Sequence, residues 1–256
     1  MGLLDGKKVL IFGIANDRSI AYGIAKQMRE QGAELAFSYA GGASIERRIK
    51  PIAEELSASF VDECDLSDDS AIEALVEKVE KQFGNLDCIV HSVAFAPPAY
   101  LAGRYADTPR ADFLTAMNIS VYTLVAVASK FERLMNPEGS IIALSYYGAE
   151  KVVPNYNVMG VAKAALEASI RYLAVDMGKK SIRVNAISAG PIKTVSAAGV
   201  SGFRSMLHVY GEKAPLNRNV DINECGGRAA FLASDLSKNI TGEVIHVDAG
   251  FNIMGF

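Results

Sequence analysis

Tyr156 and Lys163 stand seven residues apart in Tyr156-Asn157-Val158-Met159-Gly160-Val161-Ala162-Lys163. The pattern around them predicts one long helix from Asn155 to Met177, entered from a polar, turn-rich stretch that begins at Tyr146. At about 100° per residue, seven steps make nearly two turns, so both side chains point the same way, roughly 10 Å apart along the axis. Together they can present a phenol and an ammonium to one cavity. A lysine beside a phenol favours the phenolate, and a phenol so placed can give a hydrogen bond or a proton to a developing oxyanion. Taken alone, the pair also fits a tyrosine anchoring a helix start and an exposed lysine.

The elements that must position this pair alternate along the chain. Apolar runs at Val9–Phe12, Glu34–Tyr39, Ser59–Val61, Cys88–Val90, Ser140–Leu144, Ile182–Ile187 and Val244–Val247 read as strands. Between them, helical spacing marks Ile20–Gln31, Ser44–Leu56, Asp69–Phe83, Ala111–Leu134, Asn155–Met177 and Ile222–Ala233. Strict β–α alternation calls for a parallel sheet covered by helices on both faces. Right-handed crossovers then give an α/β, doubly wound, Rossmann-like domain of about seven strands spanning 1–256. One stretch breaks the rhythm: 189–216 carries Gly190, Pro191, Gly199, Gly202, Gly211 and Pro215, and is a candidate lid.

Such sheets bind ligands at the carboxyl ends of their strands. The first strand ends in Gly13, followed by Ser19, which can cap the next helix, Ile20, and Gly23, which allows that helix to pack closely on the sheet. This is not G-x-G-x-x-G, yet a helix N-terminus here suits a pyrophosphate. Asp65 and Leu66 follow the third strand, where a carboxylate and backbone can meet an adenine edge; Asp65 as a local helix cap is the other reading. Ser92, Val93 and Ala94 follow the fourth strand and allow close approach of a cofactor. Ile192 and Thr194 follow the sixth and suit a carboxamide and a phosphate. The second strand ends in Tyr39-Ala40-Gly41-Gly42, with neither the acid that grips ribose hydroxyls nor the arginine that accepts a 2′-phosphate. Arg47 and Arg48 come later, on a helix. The reading favours NADH and leaves NADPH open.

Composition narrows the classes. Half of the 256 residues are hydrophobic, ample for a core, and the net charge of −3 argues against a nucleic-acid binder. No apolar run approaches the roughly 18 residues of a membrane span, and the N-terminus lacks the pattern of a signal peptide. Cys64, Cys88 and Cys225 are scattered, as buried free thiols of a reducing cytoplasm would be. His91, His208 and His246 show no metal-ligand spacing, so no metal is assigned.

Taken together, these residues resemble the short-chain dehydrogenase/reductase superfamily and, within it, the bacterial enoyl-acyl-carrier-protein reductases of type II fatty-acid synthesis. The resemblance runs nearly end to end through Gly13 with Ser19–Ala25, His91–Pro97, Leu144–Tyr146, Pro154–Gly160, Arg183–Ile192, Gly242–Val244 and Asp248–Gly250. Its most specific element is spacing: ordinary members carry Tyr-x3-Lys and the enoyl reductases Tyr-x6-Lys, and here position 160 is Gly160.

The resemblance implies hydride transfer from NADH to C3 of a trans-2-enoyl thioester, with the enolate oxyanion met by Tyr156. It implies that Lys163 holds the nicotinamide ribose hydroxyls and that Tyr146 lines the site; a packing aromatic is the alternative for Tyr146. Ala96 matches a position near the substrate. The 189–216 stretch matches a mobile loop over the acyl chain, with Met159, Val200, Phe203, Met206 and Leu207 as its apolar wall; a helical hairpin in an oligomer interface is the alternative. Acyl carrier protein is the implied partner, with Lys193, Arg204 and Lys213 near the portal, and a homotetramer the implied assembly, with Ile119–Phe131 and Val161–Val175 as apolar faces. A carbonyl reductase would need the short spacing and a serine where Ala143 stands. A non-catalytic dinucleotide sensor need not keep the pair.

Overall fold

A computed structural model describes residues 2–194, 197 and 201–255. Seven strands form one sheet in the order β3-β2-β1-β4-β5-β6-β7, every neighbouring pair parallel. The strands are β1 (Lys8–Phe12), β2 (Glu34–Tyr39), β3 (Phe60–Glu63), β4 (Leu86–His91), β5 (Met135–Tyr146), β6 (Arg183–Ala189) and β7 (Val244–Val247). The strand order reverses between β1 and β4, and there a crevice opens at the carboxyl ends.

On one face, α3 (Asp69–Gln82), α5 (Thr123–Phe131) and α6 (Asn157–Gly178) bury Ile72, Leu75, Val79, Leu124, Val127, Phe131, Leu166 and Ile170 against the sheet. On the other, α1 (Ile20–Glu30), α2 (Ala43–Glu55) and α8 (Ile222–Ala233) contribute Ile24, Met28, Ile49, Ala229 and Ala230. Gly23 serves this face differently from the sequence expectation. A Cβ there would lie 2.4 Å from the Ile222 carbonyl oxygen, so the glycine admits α8, not the sheet. Gly226 returns the contact, its Cβ position lying 2.5 Å from the Gly23 oxygen.

Three further differences matter for the site. The expected helix Ala111–Leu134 is broken into α4 (Arg110–Met117), a π-helical turn at Asn118–Tyr122, and α5. An inserted residue in the i→i−4 ladder rotates the downstream side chains, and such bulges gather at functional sites. Within the 25-residue composite stretch Arg110–Leu134, an 18-residue window also reaches a mean hydropathy of 1.5, enough for a membrane span by length and composition, contrary to the expectation. Its apolar residues Leu124, Val127 and Phe131 are core residues here, fully buried under α3 and α6. Finally, α6 begins at Asn157, with Tyr156 as its N-cap. Asn155 and Asn157 take positive φ (62° and 30°), which asparagine tolerates better than most residues and which stops the helix from extending backwards.

Candidate active site

The crevice is a cavity of about 450 Å³ whose floor is the ends of β1, β4, β5 and β6. Gly13, φ +94°, lies so close to the β4 exit that a Cβ would sit 2.1 Å from the Ser92 carbonyl oxygen. Only a bare backbone fits. Ser19 caps α1, its Oγ accepting from Tyr22 N–H at 3.3 Å, and with Ile20 it places the start of that helix on the same opening. Gly13, Ser19, Ile20, Ser92, Val93, Ala94, Ile192 and Thr194 all line this cavity. A backbone cradle at a helix N-terminus is a fit for a dinucleotide pyrophosphate.

Two expected cofactor residues stand apart from that wall. Asp65 accepts from the Ser67 N–H (2.9 Å) and hydroxyl (2.7 Å), and Leu66 is buried in the core. Asp65 is not the cap of α3 either; Asp68 is, accepting from Ser70 N–H at 2.9 Å.

Tyr146, Tyr156 and Lys163 meet on the far side, beside Ala96, Met159, Phe203 and Met206. The rings of Tyr146 and Tyr156 are edge to face, centroids 4.9 Å apart at 72°. Lys163 is buried, and its Nζ donates to the Leu144 carbonyl at 2.6 Å. Burial pulls its ammonium down to about 8, with Glu167 opposing the fall. Burial pushes the Tyr156 phenol well above its ordinary value. The expectation that Lys163 favours a phenolate is therefore reversed: desolvation dominates and holds the Tyr156 phenol neutral, able to donate a hydrogen bond. Burial likewise raises the Tyr146 phenol to about 12, and its hydroxyl contacts Met206 Sδ at 3.1 Å and Tyr210 Oη at 3.3 Å. Tyr147 turns away, edge-on to Phe251 and His246.

The 189–216 stretch contains α7 (Phe203–Lys213), which sets Phe203 and Met206 on the cavity wall; Val200 lies outside the described residues. Sequence reasoning missed several contributors. Ser120, in the π turn, is fully buried, accepting from Phe95 N–H at 3.0 Å and so holding the loop that carries Ala96. Leu101 joins Ala96, Val158 and Met159 in a small apolar cluster. Tyr210 stacks on Phe251, centroids 3.6 Å apart, behind Tyr146. Glu167, one turn past Lys163 and therefore detectable by helical spacing, accepts a hydrogen bond from Ser145 Oγ. His91 is also buried; its Nε2 is 2.8 Å from Thr123 Oγ1, and burial plus Lys163 pulls it down to about 3, so it is neutral.

Gly160 separates two chemistries. Its Cβ would meet the Gly148 carbonyl oxygen at 2.8 Å, so this backbone has no room for the lysine of the shorter spacing. Ala143, where a ketone reductase would present a serine, is fully buried in the core.

Sheet order and site define a doubly wound dinucleotide-binding protein of the short-chain dehydrogenase/reductase class, with its helical cover over the site. The model of a family described as enoyl-(acyl carrier protein) reductase matches residues 13–252. The chain is 53% identical over 254 residues to enoyl-[acyl-carrier-protein] reductase [NADH] 1 of Rhizobium meliloti, covering 99% of this chain and 93% of that protein. It superimposes on the enoyl-[acyl-carrier-protein] reductase (NADH) of Aquifex aeolicus with a TM-score of 0.97 at 49% identity, covering 100% of both chains. The Anaplasma phagocytophilum enzyme in complex with NAD gives 0.96 at 49%, covering 100% of this chain and 97% of that one. The Bacillus cereus enzyme with NADP+ and an indole naphthyridinone gives 0.98 at 48%, covering 100% of both. The chain belongs to the enoyl-(acyl carrier protein) reductase family.

Proposed function

We infer that this protein reduces the trans-2 double bond of enoyl thioesters borne on acyl carrier protein, with NADH as its reductant. The observation that carries the reading is the convergence of Tyr156, Tyr146 and Lys163 on one cavity with an apolar wall and a backbone cradle. NADH, when bound, supplies the hydride that reaches C3 of the substrate. Tyr156 gives its hydrogen bond to the thioester oxygen as negative charge gathers there, and the desolvated site makes that bond stronger than it would be in water. Lys163, held by Leu144, offers its remaining N–H donors to the nicotinamide ribose and keeps the field positive. Tyr146 packs its ring edge-on to that of Tyr156 and lines the acyl side.

Gly13, Ser19, Ile20, Ser92, Val93, Ala94, Ile192 and Thr194 are proposed to hold the cofactor, with Asp65 and Leu66 at the adenine edge. Ala96, Met159, Phe203 and Val200 are proposed to contact the acyl chain. Exposed Lys193, Arg204 and Lys213 suit an acidic carrier. A homotetramer is proposed, since α4 to α6 expose Leu114, Tyr122, Tyr172 and Val175. A cytoplasmic setting suits the free thiols of Cys64, Cys88 and Cys225.

The test is loss of NADH absorbance with a trans-2-enoyl thioester, with NADPH in parallel. Turnover with NADH upholds the reading, turnover mainly with NADPH changes the cofactor, and binding of NADH without turnover points to a sensor.

A further inference from the structure

Three consecutive residues at the end of β5 each hold a different part of the site. The Leu144 carbonyl takes Lys163 Nζ, the Ser145 hydroxyl donates to Glu167 Oε1, and the Tyr146 ring packs edge-on to Tyr156. The first two locks run to one helix, α6, four residues apart, so they lie one turn from each other on the same face. Among the described residues, Glu167 and Asp248 are the buried acids, and Glu167, 8% exposed, is the one that shares a helix face with Lys163. A carboxylate kept in such a place is unfavourable unless charge and hydrogen bonds compensate it, so its neighbours show what it serves.

Those neighbours are Lys163 and Arg171 on its own helix, and Glu150 with His246 on the flank beyond, where His246 Nε2 lies 2.9 Å from Glu150 Oε1. Beneath it, Ser145, Ser188 and His246 are direct register partners across β5, β6 and β7. Lys163 in turn faces His91, which is neutral, and lies on the same cavity as Tyr156, whose phenol is also neutral. Glu167 is therefore the negative charge placed to act on Lys163.

We propose that Glu167 is a positioning residue for the reductase reaction, anchored by Ser145 so that its carboxylate keeps Lys163 an ammonium and fixes the β5 end that carries Tyr146. It does not line the cavity. Lys163 tends to lose its proton through burial, and a fixed carboxylate one turn away opposes that loss. The proposal rests on the reductase reading for its kinetic arm, and not for its binding arm.

The experiment measures the pH dependence of kcat/KM with an enoyl thioester, and separately of NADH binding by cofactor fluorescence, for wild type, Glu167→Gln, Glu167→Asp and Ser145→Ala. Glu167→Gln keeps the shape and removes the charge, so the alkaline limb of both profiles moves to lower pH by roughly half a unit or more. Glu167→Asp restores the limb. Ser145→Ala moves the limb the same way by less and lowers kcat roughly fivefold through loss of alignment. A folded Glu167→Gln variant with an unmoved limb overturns the proposal. Should Glu167→Gln fail to fold, Ser145→Ala decides, and wild-type kcat in that variant overturns it. Absence of turnover in the wild type would instead count against the reductase reading, while the binding profiles would still test Glu167.

Discussion

Lys163 Nζ lies 2.6 Å from the carbonyl oxygen of Leu144, so the one buried lysine of the site is tied to the sheet and not to the tyrosine seven residues before it. Helix and strand thus hold the two groups by separate means, and the two respond differently to substitution and to pH.

Replacing Tyr156 with phenylalanine removes only the hydroxyl, since the ring contact with Tyr146 remains. We expect kcat to fall by roughly 10²-fold or more, the scale of one lost oxyanion donor. NADH affinity, measured by fluorescence, should stay near wild type.

The Lys163 ammonium, pulled down to about 8 by burial, should set the alkaline side of activity. Its folded value lies below its unfolded one, so kcat/KM for NADH should be highest below about pH 8 and fall above it. Stability runs the other way for this group: between about 8 and its ordinary value of 10.5 the unfolded chain holds more protons, so its contribution to stability rises with pH. Activity and urea-denaturation profiles measured side by side should diverge there.

Gly148 has a conventional φ, yet a Cβ would lie 2.5 Å from Tyr156 Cδ1. Gly148→Ala should push the ring off its station, with kcat lowered roughly tenfold or more and cofactor binding little changed. A crystal structure of the variant should show the displaced ring.

The edge of the cofactor site invites a selectivity test. A Cβ on Gly41 would be 2.8 Å from Glu63 Oε2, so an arginine placed there begins against a carboxylate. Gly41→Arg alone should change little, while Gly41→Arg with Glu63→Gln should raise kcat/KM for NADPH relative to NADH by roughly tenfold, as a cation freed to meet a 2′-phosphate would.

Tyr210→Phe removes the hydroxyl 3.3 Å from that of Tyr146 and leaves the Phe251 stack intact. We expect a raised KM for the thioester with kcat nearly unchanged, because the contact lies between α7 and the cavity wall.

Much of the fold is legible in sequence because periodicity is a global signal. The alternation of strand and helix implies the sheet, and the strand ends name most of the cavity wall. The features that escape are local. The π turn at Asn118–Tyr122 leaves apolar spacing almost intact while rotating Ser120 inward, so no pattern betrays it. The start of β5 at Met135 hides behind Pro137 and Gly139, which read as turn residues. Position along the chain also does not disclose that Asp65 accepts from Ser67 or that Leu66 joins the core. The protonation of the Tyr156 phenol escapes because spacing gives the distance to a charge and says nothing of the solvent removed around it.

Asn155 donates from its side chain to the Ser201 carbonyl at 2.9 Å, just ahead of α7, and is succeeded at once by Tyr156. Lys163 is tethered to β5 instead. The tyrosine's end of the machinery is thus joined to the segment that leads into α7, while the end that would grip the nucleotide rides with the sheet. Two independent moorings therefore hold the Tyr156–Lys163 pair.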